Sequence, residues 1–481
     1  MSDTSGTLGL KPKPNGAETA AGVDAHDRLM QGGEGVYPEL DVLETPPPRE
    51  NFIPIARFAL IDRLTDSKAW PDGGAAEARR FFKYLDYWRH QQYSARLFEL
   101  GQDYEVFSPD SDLLQTREYT DQERRDQQRR VVEGVEQLLV RANFSRIDPS
   151  HVETILSKET HYGLDLSVDL RDFEELLIYY RGASNKTQER RRLVRFMRKE
   201  EFEVPTFRRL FVLFKLKPFE RRVQEVMERL RLDRKNAEKH VRRLRAMLPA
   251  DISEDNIYLK LFKNMPRSDI EMAFPNTRIR FRMVDKLKLG VTSGAGVGMS
   301  IAGLAGKITV LANPITAIPA LAGLGGVAFR QFMSFMNQRQ RYMVIMAQNL
   351  YFHALADNRS AILTLADRAA QEDIKEDLLL YTVLAKESVN RGELKQVDEA
   401  IEKYLLDTFG IHVDFDVQEA LGRLLDDGMV VEEADGTLRA LPPREAALLL
   451  DQKWDVVLDL IPDVKPHEGR ERELPGADDK F

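Results

Sequence analysis

Apolar residues recur along this chain with two different periods, and the change of period marks out its elements. "FIPIARFALIDRL" (Phe52–Leu64) and "AAEARRFFKYLDYWRHQQYSARLFEL" (Ala75–Leu100) carry them at helical spacing, with Phe81, Phe82, Leu85 and Trp88 along one side of the second. A further helix starts near Asp121, and Val131, Val135, Leu138 and Leu139 form its apolar stripe. In "GLDLSVDLRDF" the period falls to two. Leu164, Leu166, Val168 and Leu170 alternate with Asp165, Ser167, Asp169 and Arg171, which predicts a half-buried strand. "ELLIYYRG" and "FRRLFVLFKLKP" are rich in β-branched and aromatic residues and predict two more strands.

Helical spacing returns in Phe219–Leu248, which reads as one long basic amphipathic helix with Val223, Val226, Leu230, Val241, Leu244 and Leu248 on its apolar side. "SDIE" (Ser268–Glu271) fits a capping box, and Pro275 would close the short helix that follows. Near the C-terminus, Val417, Ala420, Leu421, Leu424 and Leu425 give another helix, preceded by one ending at Gly410. "MVVEEADGTLRAL" then reads as a hairpin about Asp435-Gly436, so residues 396–445 resemble a winged-helix-like module.

The pattern predicts an α+β chain, mostly helical, in several units. Residues 1–50 are expected to form a disordered tail and linker, being poor in large apolar side chains and without a secretory or transit pattern. A helical region over 51–118 precedes a small α+β domain over 119–217. A basic helix and juxtamembrane block (218–288), a glycine-rich hairpin (289–335), a helical region (336–395), the module at 396–445 and a terminal helix and tail (446–481) complete the order.

Charge sharpens this picture. Lys186–Arg245 holds 21 Lys and Arg against 9 Asp and Glu, whereas Tyr342–Phe481 holds 15 against 30. The module's own stretch, Val397–Leu441, carries 12 acidic and 3 basic residues, which opposes nucleic-acid binding and favours a protein partner there. The chain has no cysteine, so disulfides, thiolate metal sites and cysteine nucleophiles are excluded.

The glycine-rich run "SGAGVGMSIAGLAGKIT" (Ser293–Thr309) invites a phosphate-loop reading, but the chemistry fails. A Walker-type cradle would need glycine at Ile301 and a hydroxyl at Ile308, and a dinucleotide fingerprint would need glycine at Met299. Between Lys288 and Arg330 lie 41 residues with one charge, Lys307. As helix this is about 60 Å, roughly two crossings of a 30 Å hydrocarbon core. The pattern therefore predicts membrane spans at about 289–311 and 315–335, with Pro314 marking the turn and both chain ends in the cytoplasm by the basic flanks. Gly290, Gly294, Gly298, Ala302 and Gly306 recur every fourth residue, a small-residue ridge for helix packing or self-association. Arg278, Arg280, Arg282, Lys286 and Lys288 are candidate contacts to anionic lipid headgroups.

Reactive motifs are sparse. The histidines include no H-E-x-x-H or other close ligand pair, no G-x-S-x-G occurs, and no metal or cofactor is implied. Asp110–Asp112 and Asp414–Asp416 could bind a cation, but read more simply as a loop and a helix N-cap. The chain resembles an uncharacterised membrane-associated family that includes animal transmembrane protein 143 and has plant and bacterial members. The resemblance rests on "IYLKLFKNMPRSDIEMAFPNTRIRFRMVDKLKLG" (Ile257–Gly290), with "NFIPIARFALIDRL", "DYEVFSPDSD", "YYRG" and "VDFDVQEALGRLLDDGMV". It implies membrane association and no established reaction. The reading that follows is a non-enzymatic integral membrane protein; the alternative is a soluble or peripheral enzyme whose glycine-rich helices form a buried core.

Overall fold

The computed structural model describes residues 49–148 apart from 68–69 and 71–73, then 165–191, 199–280, 340–459 apart from 341, 342, 345 and 349, and 468–472. In chain order the helices and strands are α1 (Arg57–Leu64), α2 (Gly74–Glu105), β1 (Arg117–Glu118), α3 (Asp121–Arg141), β2 (Ser145–Arg146), β3 (Asp165–Ser167), β4 (Phe173–Arg191) and β5 (Lys199–Leu216). There follow α4 (Phe219–Leu230), α5 (Arg234–Arg245), β6 (Ile257–Pro266), β7 (Arg278–Arg280), β8 (Ala354–Asp357) and α6 (Asn358–Leu384). The C-terminal elements are β9 (Val389–Asn390), α7 (Leu394–Phe409), α8 (Val417–Asp426), β10 (Val430–Glu432), β11 (Thr437–Ala440), α9 (Pro443–Asp455) and β12 (Arg470–Glu471). The mixed α+β class expected from the pattern is the one observed.

A five-stranded antiparallel sheet, in the order β2-β4-β5-β6-β8, organises the middle of the chain. Its strands obey the two-residue period on both faces. Leu177, Tyr179, Phe211, Leu213, Leu259 and Leu261 turn to one side, where α2, α3 and α6 cover them with Leu100, Val135, Leu139, Ala361 and Leu365. Ile178, Leu210, Val212, Phe214, Tyr258 and Phe262 turn to the other, against Ile270 and Phe274. Each such side chain contributes about 1.5–3 kcal/mol by burial, so a one-residue slip of β5 would exchange the two cores.

The helices that cover the sheet also run beyond it. α2 and α6 pack antiparallel, with Phe81 and Phe82 against Tyr381, Arg89 against Asp377 and Tyr93 against Asp373. Past the sheet they share a second apolar core with α1, α7, α8, α9 and the β10–β11 hairpin. Asp416 caps α8, accepting from the backbone amides of Gln418 and Glu419 at 3.0 and 3.1 Å, which is the N-cap reading of "DFD". The tight turn between β10 and β11 takes Gly436 at φ +82°, where a side chain would be strained. β9 adds to this hairpin through β11.

Several local expectations are corrected. The stretch read as one helix over Phe219–Leu248 is broken at Arg231, which adopts φ +51°, and α5 restarts after Asp233. The reversal lets Val223 and Val226 pack on Ala237 and Val241, so the stripe buries itself instead of needing a long partner. The strand expected over Leu164–Leu170 is only β3, because the chain turns into a 3-10 helix at Leu170–Asp172 that Asp169 caps through the Arg171 amide. Arg267–Ala273 forms a 3-10 helix with Pro266, not Ser268, at its N-cap. Phe52–Ala56 lies outside α1, which begins only after Pro54 has passed.

The expected membrane protein with both ends in the cytoplasm is also corrected. Among the described residues no helix is long and apolar enough to cross a membrane. α2, at 32 residues, has the length, but it carries Arg79, Arg80, Lys83, Asp86 and Arg89 within its first half. α6 bears a run of charges at its centre. The spans expected at 289–311 and 315–335 lie outside the described residues. So do the ridge Gly290, Gly294, Gly298, Ala302 and Gly306, and the lipid-contact candidates Arg282, Lys286 and Lys288.

Candidate functional site

The charges at the centre of α6 are the first unusual feature. In "QEDIKED" the side chains of Glu372, Asp373, Lys375, Glu376 and Asp377 are all buried. Charges without water need partners, and here two groups supply them. Arg423 of α8 reaches Asp377 at 2.8 Å, Glu376 at 2.7 Å and Asp373 at 3.2 Å, the last without hydrogen-bond alignment. Arg89 of α2 donates to Asp377 at 2.7 Å and to Asp427 at 2.5 Å, and Trp88 and Lys453 complete the shell of Asp427. Burial pushes the Glu376 carboxyl up to about 7 even though Arg423 and Asn143 hydrogen-bond it. Arg423 is drawn down by burial but is held well above its usual value by Asp377, Asp373 and Glu376.

One turn earlier, Glu372 ties α6 to the extended segment before α1. Its carboxylate accepts from the Ile53 amide at 3.0 Å, from Lys375 at 2.6 Å and from Arg181 of β4 at 2.5 Å. Lys375 in turn donates to the Ile53 carbonyl at 2.5 Å. The same segment is bonded to the C-terminal module. Glu50 exchanges backbone hydrogen bonds with His412 and Asp414, at 3.1 and 2.9 Å, and Arg49 pairs with Glu402 at 2.9 Å. Residues 49–53 thus form a strap joining the module to the sheet.

Beside this strap lies a cavity of about 140 Å³ between the sheet and α6. Four arginines line it: Arg181 from β4, Arg208 and Arg209 from β5, and Arg368 from α6. Arg181 and Arg209 stand directly opposite in the antiparallel register, a like-charge pair that destabilises a sheet unless something offsets it. Arg181 has Glu372, and Arg208 has Glu50 at 3.1 Å. Arg209 donates only to the Arg208 carbonyl, at 2.8 Å, and among the described residues neither Arg209 nor Arg368 meets a carboxylate. Burial pulls the Arg209 guanidinium below its usual value, and the charges of Arg368 and Arg181 add to the effect. Burial lowers Arg181 as well, against Glu372.

The rest of the wall is apolar: Phe52, Phe144, Leu261, Leu355 and Leu365, with Thr364 alone adding a hydroxyl. The Arg181 guanidinium lies over Phe52, 4.2 Å from the ring centre, with Phe144 at 6.0 Å. Arg181 is itself buried, yet its Nε has no hydrogen-bond partner among the described residues. Gly182 makes this packing possible. It adopts φ +69°, and a Cβ there would sit 2.9 Å from Arg208 and 3.2 Å from Phe52. Preformed cations around an apolar-walled void, with one hydroxyl and no carboxylate or histidine among the lining residues, are suited to holding an anion in place.

The sequence-predicted site residues fall elsewhere. Arg278 and Arg280 lie on β7, which pairs with β3 in a separate two-stranded ribbon. Asp110 accepts from Asn358 at 2.6 Å within a loop, and among the described residues no group of three or more His, Asp or Glu is arranged to hold a metal ion. The cavity arginines were missed, although a signal exists. Arg181 is in phase with inward Leu177 and Tyr179, Arg209 with Phe211 and Leu213, and Arg368 follows Ala361 and Leu365 along the buried face of α6. Cations in phase with a core stripe mark inward-facing charge.

Fold and cavity together define an α+β protein with a built, electropositive pocket. A family model described as a protein of unknown function (DUF3754) matches residues 173–360. The match spans the strands that carry Arg181, Arg208 and Arg209 and ends before Arg368 and the C-terminal module. It agrees with an uncharacterised family at that coarse level and carries neither the animal relative nor membrane association. No solved structure matches, so the winged-helix and helical-hairpin expectations gain no support from that side.

Proposed function

We propose that this protein binds a small anionic ligand in the arginine-lined cavity and transmits its occupancy to the C-terminal module through the strap at residues 49–53. The observation that carries the reading is the pair Arg209 and Arg368, two half-buried guanidiniums turned into one cavity with no carboxylate among the described residues. An uncompensated cation out of water is costly, and a bound anion removes that cost. The lining offers a threonine hydroxyl, Thr364, but no histidine or carboxylate to activate it, which favours binding over chemistry at this site.

The route to the module has a physical basis. Phe52 and Glu50 touch the cavity arginines, and Glu50 also pairs its backbone with His412 and Asp414. An anion that competes with Glu50 for Arg208 would shift the strap, and with it the strap's attachment to the module. Part of this proposal is that α7 and α8 with the β9–β11–β10 sheet act as a winged-helix-like module. Its acidic surface suits a basic protein partner better than a nucleic acid.

Thermal unfolding in increasing sodium sulfate or phosphate, against matched chloride, tests the binding. A site at a hundredfold its Kd stabilises the fold by about 2.7 kcal/mol. The rise should be absent from Arg368→Gln. Hydrogen exchange at residues 49–53 and 412–414 should change with the same anion. An equal rise in wild type and variant would refute the cavity as the site.

A further inference from the structure

We propose that the ligand of this cavity is a small phosphomonoester, a compact dianion carrying a short apolar body; this rests on the anion-binding reading. Three properties of the cavity select that class. The first is charge. Glu50 offsets Arg208, while Arg209 and Arg368 bring two positive charges with no carboxylate among the described residues, and Glu372, shared between Arg181 and Lys375, leaves about one more beside them. A phosphomonoester carries about −1.5 to −2 near neutral pH, on three strong acceptor oxygens.

The second is donor geometry. Guanidiniums arrive from two neighbouring strands and from the helix above them, so the donors converge on one centre from different directions. The free Nε of Arg181 adds a donor that the fold itself leaves unused. Its plane is fixed by Phe52 and Phe144, so little freedom is lost on binding. A tetrahedral phosphoryl group offers an oxygen in each direction. A planar carboxylate presents two oxygens along one edge and serves one fork well.

The third is size and lining. A void of about 140 Å³ is close to the roughly 150 Å³ cavity that accepts benzene. That is room for a phosphoryl group with a few further atoms inside the cavity. Leu261, Leu355 and Leu365 form an apolar wall that inorganic phosphate would leave bare, so an ester should bind more tightly than the free ion.

Calorimetry on the full chain with phenyl phosphate, glycerol phosphate, inorganic phosphate, methyl phenyl phosphate, succinate and benzoate tests the class. Phenyl phosphate should bind at least tenfold more tightly than inorganic phosphate, benzoate or the monoanionic diester. Arg209→Gln and Arg368→Gln should each weaken it at least tenfold. Because each removes an unmatched charge, both variants should unfold at a temperature equal to or above that of the wild type in the absence of ligand, which separates lost binding from lost structure. Succinate binding that depends on these arginines, with no phosphomonoester binding, would overturn the ligand class and leave the anion site standing. Binding only to vesicles containing phosphatidic acid, and not to soluble monoesters, would also overturn it. Phenyl phosphate binding unchanged in both variants, or no binding by any anion, would overturn both readings.

Discussion

Two charge clusters of this protein, one buried and one half-buried, differ in how their charges are met, and the difference separates structure from function. Along the centre of α6, Arg89 and Arg423 are each met by two or more carboxylates within 3.2 Å. About one turn earlier on the same helix, at the cavity, Arg368 and Arg209 of β5 face other arginines instead. The first cluster finds its counter-charges within the chain and ties α2, α6 and α8 together. The second is complete only with something added. The two differ in burial, but what separates their roles is compensation.

The comparison breaks most severely if the matched cluster proves dispensable. Arg423→Ala should cost about 3–5 kcal/mol, since it strands Asp373, Glu376 and Asp377 without their common partner. Denaturant titration gives this directly, and a loss under 1 kcal/mol would show that the cluster does not hold the module in place.

A second test uses pH. The Glu376 carboxyl lies near 7 in the fold and near 4.5 in the free side chain, so the native state holds that proton more tightly. Its contribution is full below about pH 4.5 and is lost as pH rises to about 7, by up to roughly 3 kcal/mol. The difference in stability between wild type and Glu376→Gln should therefore drift over that window and level off above it. A difference that stays constant from pH 4.5 to 7.5 would place the proton elsewhere in the network.

Gly182→Ala sharpens the other side of the comparison. Left-handed backbone with a side chain costs about 1–3 kcal/mol, and the new Cβ presses on Arg208 and Phe52. Stability should fall by that amount, and anion affinity should fall with it because the strap is displaced from the cavity. A stable variant with unchanged phosphate-dependent melting would show that the Gly182 contact does not shape the site.

Much of the fold was legible because period and polarity agreed. The strands at "ELLIYYRG" and "FRRLFVLFKL", the helix after Thr120 and the N-cap at Asp416 all follow from local pattern. Phe219–Leu248 misled for a physical reason: a stripe spaced for one helix is equally well buried by folding the helix on itself, and only the left-handed turn at Arg231 reveals the choice. The glycine-rich run drew attention because its composition is unusual, whereas the cavity lies among ordinary-looking arginines. Arg181, Arg209 and Arg368 belong to three elements, and no spacing along the chain shows that they converge. What could be seen was that each lies in phase with buried neighbours. Nothing local in "QEDIKED" marks its charges as buried, since their partners Arg89 and Arg423 are remote in sequence.

The remoteness of those partners has a consequence during synthesis. Arg89 and Asp377 are 288 positions apart. At 5–20 residues per second the ribosome needs roughly 15–60 s to deliver the second after the first. Throughout that interval Phe81, Phe82, Leu85 and Trp88 have no Tyr381 or Leu378 to cover them. The N-terminal half of α2 therefore emerges early and is finished late, so it is a natural client for chaperones that shield apolar helices. Nascent chains stalled before Glu372 should be cut by protease within residues 74–92, and chains extending past Leu450 should resist.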